Sequence, residues 1–323
     1  MDFGFYVPTR GPLSTPDNMK ALVAKGEELG FGYIAISDHV VVPRSVESTY
    51  PYSDGGDWPA GRDGEFFEQL SVMAYLAGQT TSARLLTSVM VLPHRAPVLT
   101  AKMLSTIGVL SSGRVTVGAG AGWCKEEFEA IGAPFHAERG KVADEYIRVF
   151  KELWTNKDPE FHGAYADFAD ITFMPRPVQQ PGPPIWIGSE GKAALRRVIR
   201  VGDGWYPTAN NPKFPLDTLD RYKARLGDLR GLADEGGHNF DDLQLGLFIQ
   251  GWGYEPGDPL LPRDKDGPVP NDNRCLMSGS AEQMATDIES LKDLGVTALI
   301  LGFERSSLSE TMDSMEAFVQ DIL

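Results

Sequence analysis

Cysteine is scarce: Cys124 and Cys275 stand alone in 323 residues. Two isolated cysteines make neither a disulfide framework nor a paired metal-ligand spacing. The five histidines form no H-E-x-x-H or His-pair arrangement, so no metal is expected. A serine-hydrolase G-x-S-x-G elbow is also missing. No apolar run approaches the roughly 18 residues of a membrane span, and residues 1–9 lack the basic start and long apolar stretch of a secretory signal. Positive charge is in deficit, with 30 Lys and Arg against 45 Asp and Glu and a net charge of −15. Nucleic acid and anionic membrane surfaces are therefore not expected partners, because both are held through Lys and Arg. With 42% hydrophobic and 23% charged residues the chain is not a disordered one. A soluble, cytoplasmic protein acting on a small-molecule substrate is the expectation.

Alternation is what the sequence does have. Apolar runs at 3–7, 33–36, 85–92, 115–117, 185–187, 204–206, 245–249 and 298–301 read as strands, separated by stretches of helical period. Thr15 caps a helix with Pro16 at its first position, and Gly30 ends it. Segments 98–111, 191–201 and 216–233 read as helices, and Val142, Tyr146, Val149, Phe150 and Leu153 mark the clearest one. Ser280 with Gln283 makes a capping box for another. Joins that run from helix to Gly to strand recur at 28–33 and 293–298, as in a repeated unit. Strict alternation predicts parallel strands with right-handed crossovers, and eight units favour an α/β fold closed as a (β/α)8 TIM barrel over an open doubly wound sheet. One domain is expected over 1–323, with insertions at about 50–64, 158–183 and 251–279. The proline-rich stretch 158–183 reads as a surface hairpin, and 251–279 as a segment with little regular structure. The first and third insertions fall at the C-terminal rim, where barrel enzymes carry their active sites.

The residues that leave the strands are rich in titratable groups and glycine. His39 stands at the end of the second strand, where imidazole can exchange protons near neutral pH; Asp38-His39 also suits a plain loop ion pair. Gly188-Ser189-Glu190-Gly191 opens a helix directly after a strand, so its N–H groups and the Ser189 hydroxyl suit a phosphate, with a capped turn as the alternative. The glycines at 118–122 lack full G-x-G-x-x-G spacing and read as tight backbone turning. His94 and Arg95 cover the rim, and His136, His162 and His238 read as surface residues.

The order and spacing of the motifs resemble the luciferase-like monooxygenase superfamily, especially its coenzyme F420-dependent oxidoreductases. The resemblance spans almost the whole chain. It is carried by Glu28-Leu29-Gly30-Phe31 leading to Ser37-Asp38-His39, by Arg95-Ala96-Pro97 with Ala101-Lys102, and by Leu110-Ser111-Ser112-Gly113-Arg114. Gly118-Ala119-Gly120 with Gly122-Trp123, Ile187-Gly188-Ser189 and Gly202-Asp203-Gly204-Trp205 complete it. It implies a (β/α)8 barrel, a 5-deazaflavin (F420) or the flavin FMN across the C-terminal mouth, and a homodimer. It further implies that His39, beside Asp38, is catalytic near the reactive ring, and that a non-proline cis peptide at Ser88-Val89 backs that ring. By the same resemblance Gly188, Ser189, Glu190 and Gly191, with Thr208 and Asn210, approach the cofactor phosphate. The sugar-phosphate dehydrogenase branch carries a glutamate where this chain has Trp123. A more apolar substrate is therefore expected, among Trp58, Trp123, Trp205 and Trp252 at strand-end positions. The function implied is hydride transfer between F420 and a small organic substrate. An FMN-dependent monooxygenase and a non-catalytic cofactor- or ligand-binding barrel are the alternatives.

Overall fold

A computed structural model of the chain describes residues 1–53, 55–58, 65–134, 136–252 and 274–323. Eight strands form a closed parallel barrel: β1 (Asp2–Tyr6), β2 (Tyr33–Ile36), β3 (Arg84–Val91), β4 (Val115–Gly120), β7 (Ile185–Gly188), β8 (Gly204–Tyr206), β9 (Gln244–Ile249) and β10 (Val296–Leu301). β10 closes on β1 with Phe3 opposite Leu299. The helices are α1 (Pro16–Glu28), α2 (Gln69–Ala77), α3 (Pro97–Leu110), α4 (Lys125–Ala130), α5 (Arg139–Thr155), α6 (Lys192–Val201), α7 (Leu219–Gly236), α8 (Ala281–Asp293) and α9 (Leu308–Asp321). The expected (β/α)8 barrel is the observed fold. Thr15 caps α1 by accepting the Asn18 N–H, and Ser280 with Gln283 forms the capping box of α8. Among the described residues no helix is long and apolar enough to cross a membrane.

Period-two alternation divides the core. Ile34, Ile36, Ile185, Ile187, Leu245, Leu247, Leu299 and Leu301 point outward into the helical layer. Their neighbours Tyr33, Ala35, Leu86, Trp186, Tyr206, Ala298 and Ile300 pack together within the barrel. Rings of this size need gaps opposite them: a Cβ on Gly246 would lie 2.9 Å from Tyr206 and 3.0 Å from Trp186.

Two carboxylates fasten connections to the barrel. Glu27 on α1 accepts the N–H groups of Thr81, Ser82 and Ala83 just before β3. Burial opposes its charge, but these bonds hold its pKa down at about 2. Buried Glu145 on α5 accepts the N–H groups of Ala164, Tyr165 and Ala166. That seats a short antiparallel hairpin, β5 (Phe161–His162) with β6 (Asp167–Phe168), within the stretch expected to form one.

Two features differ from expectation. β4 runs on through Gly118-Ala119-Gly120, residues of poor strand propensity. A Cβ on Gly118 would run into the Thr87 carbonyl oxygen, so the pairing of β3 with β4 demands glycine there. α4, only six residues long, lies in a stretch too short to show a helical period. Residues 54, 59–64 and 253–273, which include most of the expected third insertion, lie outside the described residues.

Gly118→Ala is expected to lower unfolding free energy by about 1–3 kcal/mol, the usual cost of overpacking against an immovable neighbour. Gly108→Ala on α3, whose Cβ would meet nothing within 4 Å, is expected to be neutral or to stabilise by up to about 1 kcal/mol. Urea denaturation of the two variants checks this; equal losses would contradict it.

Candidate active site

Asp38 and His39 leave the end of β2 in opposite directions, as successive residues of an extended chain do. The Asp38 side chain is fully buried and accepts from Arg95 Nη1 at 2.8 Å and Nη2 at 2.7 Å. Its Oδ2 also accepts the Val91 N–H at 2.8 Å. Arg95 reaches further to Glu68, which caps α2 by accepting the Leu70 and Ser71 N–H groups. Burial disfavours the Arg95 charge, but its two carboxylate partners push its pKa above the ordinary guanidinium value. The loop ion pair offered as the alternative does not form, because Asp38 points away from His39 along the strand. The Asp38 oxygens are committed to Arg95 and Val91, which makes it a positioning residue of the rim.

His39 instead meets Glu127 of α4, with Nδ1 2.8 Å from Oε2. The other Glu127 oxygen accepts the Val40 N–H at 2.7 Å and the Val41 N–H at 3.3 Å. Burial works against the Glu127 charge, yet the His39 hydrogen bond, the nearby His39 and His94 rings and the Val40 N–H lower its pKa below the usual carboxylate value. His94 is buried with its Nδ1 3.9 Å from Glu127 Oε1, and among the described residues neither of its nitrogens has a hydrogen-bond partner. Burial lowers the His94 pKa, so its ring stays neutral at neutral pH.

Aromatic rings wall this site. The His39 ring lies 4.6 Å from Trp58 and 4.9 Å from Phe66. Trp123 sits edge-on to Trp58 at 5.3 Å and to Tyr50 at 5.1 Å. Trp58 and Trp123 thus meet as expected, and Tyr50 and Phe66 join them. Trp205 and Trp252 do not. Trp205 is out of phase with the inward-facing Tyr206, stacks on Tyr222 of α7, and is fully buried between strand and helix. Trp252 packs on Phe303 and Phe318 in the same outer layer. The expectation that these two line the substrate pocket is corrected by that packing.

Across the mouth, the Ser88-Val89 peptide is cis, as the resemblance implied. Ser88 Oγ bonds to the hydroxyls of Tyr6 and Tyr206, a cluster not anticipated from sequence. Val89 lies against two glycines; a Cβ on Gly188 would come within 3.0 Å of it. Ser189 follows at φ +88°, a left-handed conformation unusual for a residue with a side chain, and its carbonyl accepts the Trp205 Nε1–H. Gly191 then forms the N-cap of α6 and offers no side-chain acceptor. The first-turn N–H groups of α6 and the exposed Ser189 therefore make a ready seat for an anion. Glu190 turns inward, accepting the Thr208 N–H and the Asn211 side-chain N–H. Asn210 accepts the Gln250 N–H, so 208–211 is tied to this turn and to the end of β9. The glycines, the uncapped helix and the left-handed Ser189 fit a phosphorylated cofactor. Among the described residues no cluster of three metal-ligating side chains occurs.

Glu127, Tyr6, Tyr206, Tyr50 and Phe66 were missed in the sequence. The one available signal was Glu126-Glu127, three and four residues after Trp123, which follows the rim glycines.

Burial raises the Glu190 pKa from 4.5 to about 7, against the hydrogen bonds from Thr208 and Asn211 that favour its charge. Because the folded value lies above the unfolded one, its stabilisation is full below about pH 4.5 and is lost as pH rises through about 7. The stability of the wild type relative to Glu190→Gln should therefore fall, by up to about 3 kcal/mol, between about pH 5 and pH 8. Denaturation at the two pH values measures this; parallel curves would contradict it.

The comparisons with known proteins agree with this fold. Residues 1–250 match the family model for luciferase-like monooxygenase. An uncharacterized protein of Mycobacterium tuberculosis (strain ATCC 25618 / H37Rv) is 34% identical over 229 residues, covering 71% of this chain and 72% of that one. An FMNH(2)-dependent dimethylsulfone monooxygenase of Pseudomonas putida is 35% identical over 173 residues, 53% of this chain and 46% of that one. Among solved structures, a monooxygenase from Streptomyces bottropensis superposes with a TM-score of 0.73 at 19% identity, covering 100% of this chain and 98% of that one. An F420-dependent secondary alcohol dehydrogenase in complex with an F420-acetone adduct does so with 0.73 at 18% identity, covering 99% and 98%. These two likenesses concern the fold. On the match over residues 1–250, with the closed barrel and its rim motifs, the chain belongs to the luciferase-like monooxygenase family.

Proposed function

We propose that the protein is an oxidoreductase that moves a hydride between coenzyme F420 and a small, largely apolar organic substrate. The observation that carries this reading is His39. Its Nδ1 is fixed on a buried carboxylate, while no described residue bonds its Nε2 and its ring faces Trp58 and Phe66. Hydride transfer to a carbonyl or activated alkene consumes a proton, and the reverse reaction releases one, so the protein must supply an acid or base. When bound, the deazaflavin supplies the hydride chemistry.

The chain's own residues do the rest. The N–H groups at the start of α6 and the Ser189 hydroxyl bind the phosphate, with Gly188, Glu190, Gly191, Thr208 and Asn210 shaping that seat. The Ser88-Val89 bulge supports the ring. Trp58, Phe66 and Trp123 exclude water and receive an apolar substrate. His39 Nε2 holds or moves the substrate proton. No disulfide joins the two cysteines, which suits the proposed cytoplasmic location. Exposed Leu99, Val109 and Leu110 on α3, with Met174 and Val178 nearby, support a homodimer.

His39→Ala is expected to keep cofactor affinity within a few-fold and lose about 10²–10⁴ in turnover. Lost binding with intact saturating turnover would make His39 a cofactor ligand instead.

The second reading is an FMN-dependent monooxygenase, favoured by the 35% identity to the dimethylsulfone enzyme. Fluorescence titration with F420 and with FMN separates the two. Tight binding of F420 alone is expected, the reverse preference would move the assignment to FMN, and binding of neither would sink both. A Ser189→Asp variant is expected to weaken cofactor binding at least tenfold by setting like charge against the phosphate.

A further inference from the structure

We propose that Glu127 is the positioning residue that sets the tautomer of His39, keeping the proton on Nδ1 and the Nε2 lone pair free. This deepens the oxidoreductase reading and rests on it only for what Nε2 meets.

The carboxylate is 1% exposed and engages three donors: His39 Nδ1 on Oε2, and the Val40 and Val41 N–H groups on Oε1. An ionised carboxylate can only accept, so at 2.8 Å the Nδ1 atom must donate. Neutral imidazole carries one N–H, which leaves Nε2 as an acceptor. The opposite tautomer would set an Nδ1 lone pair against a carboxylate oxygen inside the protein, where such repulsion is poorly screened.

No other described group takes the Oε2 site. His94 approaches the other oxygen, and at 3.9 Å it lies outside hydrogen-bond reach. The Asp38 carboxylate is committed to Arg95, and the Cys124 thiol reaches the Glu126 carboxylate rather than that of Glu127.

Both ends of the contact are also held from outside. Glu126 accepts the Glu47 and Ser48 N–H groups, and Ser48 Oγ accepts the Lys125 N–H. α4 is thereby clipped to the loop that follows β2. His39 itself is anchored by its neighbour Asp38. The imidazole can pivot little, and the free nitrogen keeps one orientation.

The test uses the protein without cofactor or substrate. Long-range ¹H–¹⁵N correlation spectra resolve the two ring nitrogens of each of the five histidines, and loss of one set in His39→Ala assigns His39. At about pH 8.5 His39 is expected to show a protonated Nδ1 and a bare Nε2. Glu127→Gln, whose amide can turn a donor toward His39, is expected to shift His39 to the Nε2–H form or a mixture. Glu127→Asp keeps the charge and should restore the wild-type pattern in part. In turnover, Glu127→Gln is expected to lower kcat about 10²–10³-fold, within the range of acid–base catalysis, with cofactor affinity unchanged. An Nε2–H tautomer in the wild type would overturn the proposal, and so would an unchanged tautomer in folded Glu127→Gln. If Glu127→Gln does not fold, the wild-type and Glu127→Asp spectra decide. The expected tautomer with no turnover of F420 would retire the oxidoreductase reading and leave the role of Glu127 standing.

Discussion

The buried Asp38–Arg95 pair is the constraint on which the mouth of this barrel depends. A carboxylate with no exposure has to be neutralised, and Arg95 does so through two parallel charge-assisted bonds while Val91 donates a third. These bonds join the exit of β2 to the end of β3. Breaking such a pair from one side commonly costs about 3–5 kcal/mol, because the remaining charge stays buried. With Asp38 turned one way, His39 must project the other way, and there it meets Glu127.

Two acidic residues therefore divide the work around one histidine. Asp38 fixes the backbone and Glu127 fixes the ring. Both Glu127 oxygens are engaged, by the histidine and by two backbone donors, which makes the carboxylate an anchor rather than a proton carrier. Around it stand Trp58, Phe66, Trp123 and Tyr50, rings that lower the local dielectric and strengthen each of these electrostatic contacts. The opposite side of the mouth has another character. Glycines at 120 and 188 make room for Val89, and the uncapped start of α6 presents backbone N–H groups instead of side-chain charge. In a chain of net charge −15, an anion seat built from backbone is a local exception to the field around it.

Most of the barrel was legible in the sequence because alternation and capping are local signals. Thr15, Pro16, Ser280 and Gln283 act where their spacing said they would. β4 was read short because its glycines are chosen for close approach to β3, a tertiary demand that local propensity does not register. His39 was readable from its strand-end position. Its partner was not, since Glu127 lies 88 residues further along the chain on a six-residue helix. Trp205 and Trp252 show the converse error: lying near a strand end does not give the side chain's direction, and one step of register sends a ring outward instead of inward.

The central claim is that one mouth holds a cofactor phosphate at the start of α6 and presents His39 to whatever reacts there. A crystal structure of the protein with F420 bound tests it most directly. The phosphate is expected on the N–H groups of residues 189–192, the ring against Val89, and His39 Nε2 facing the space beside that ring. A phosphate seated elsewhere, or a ring out of reach of His39, would contradict it.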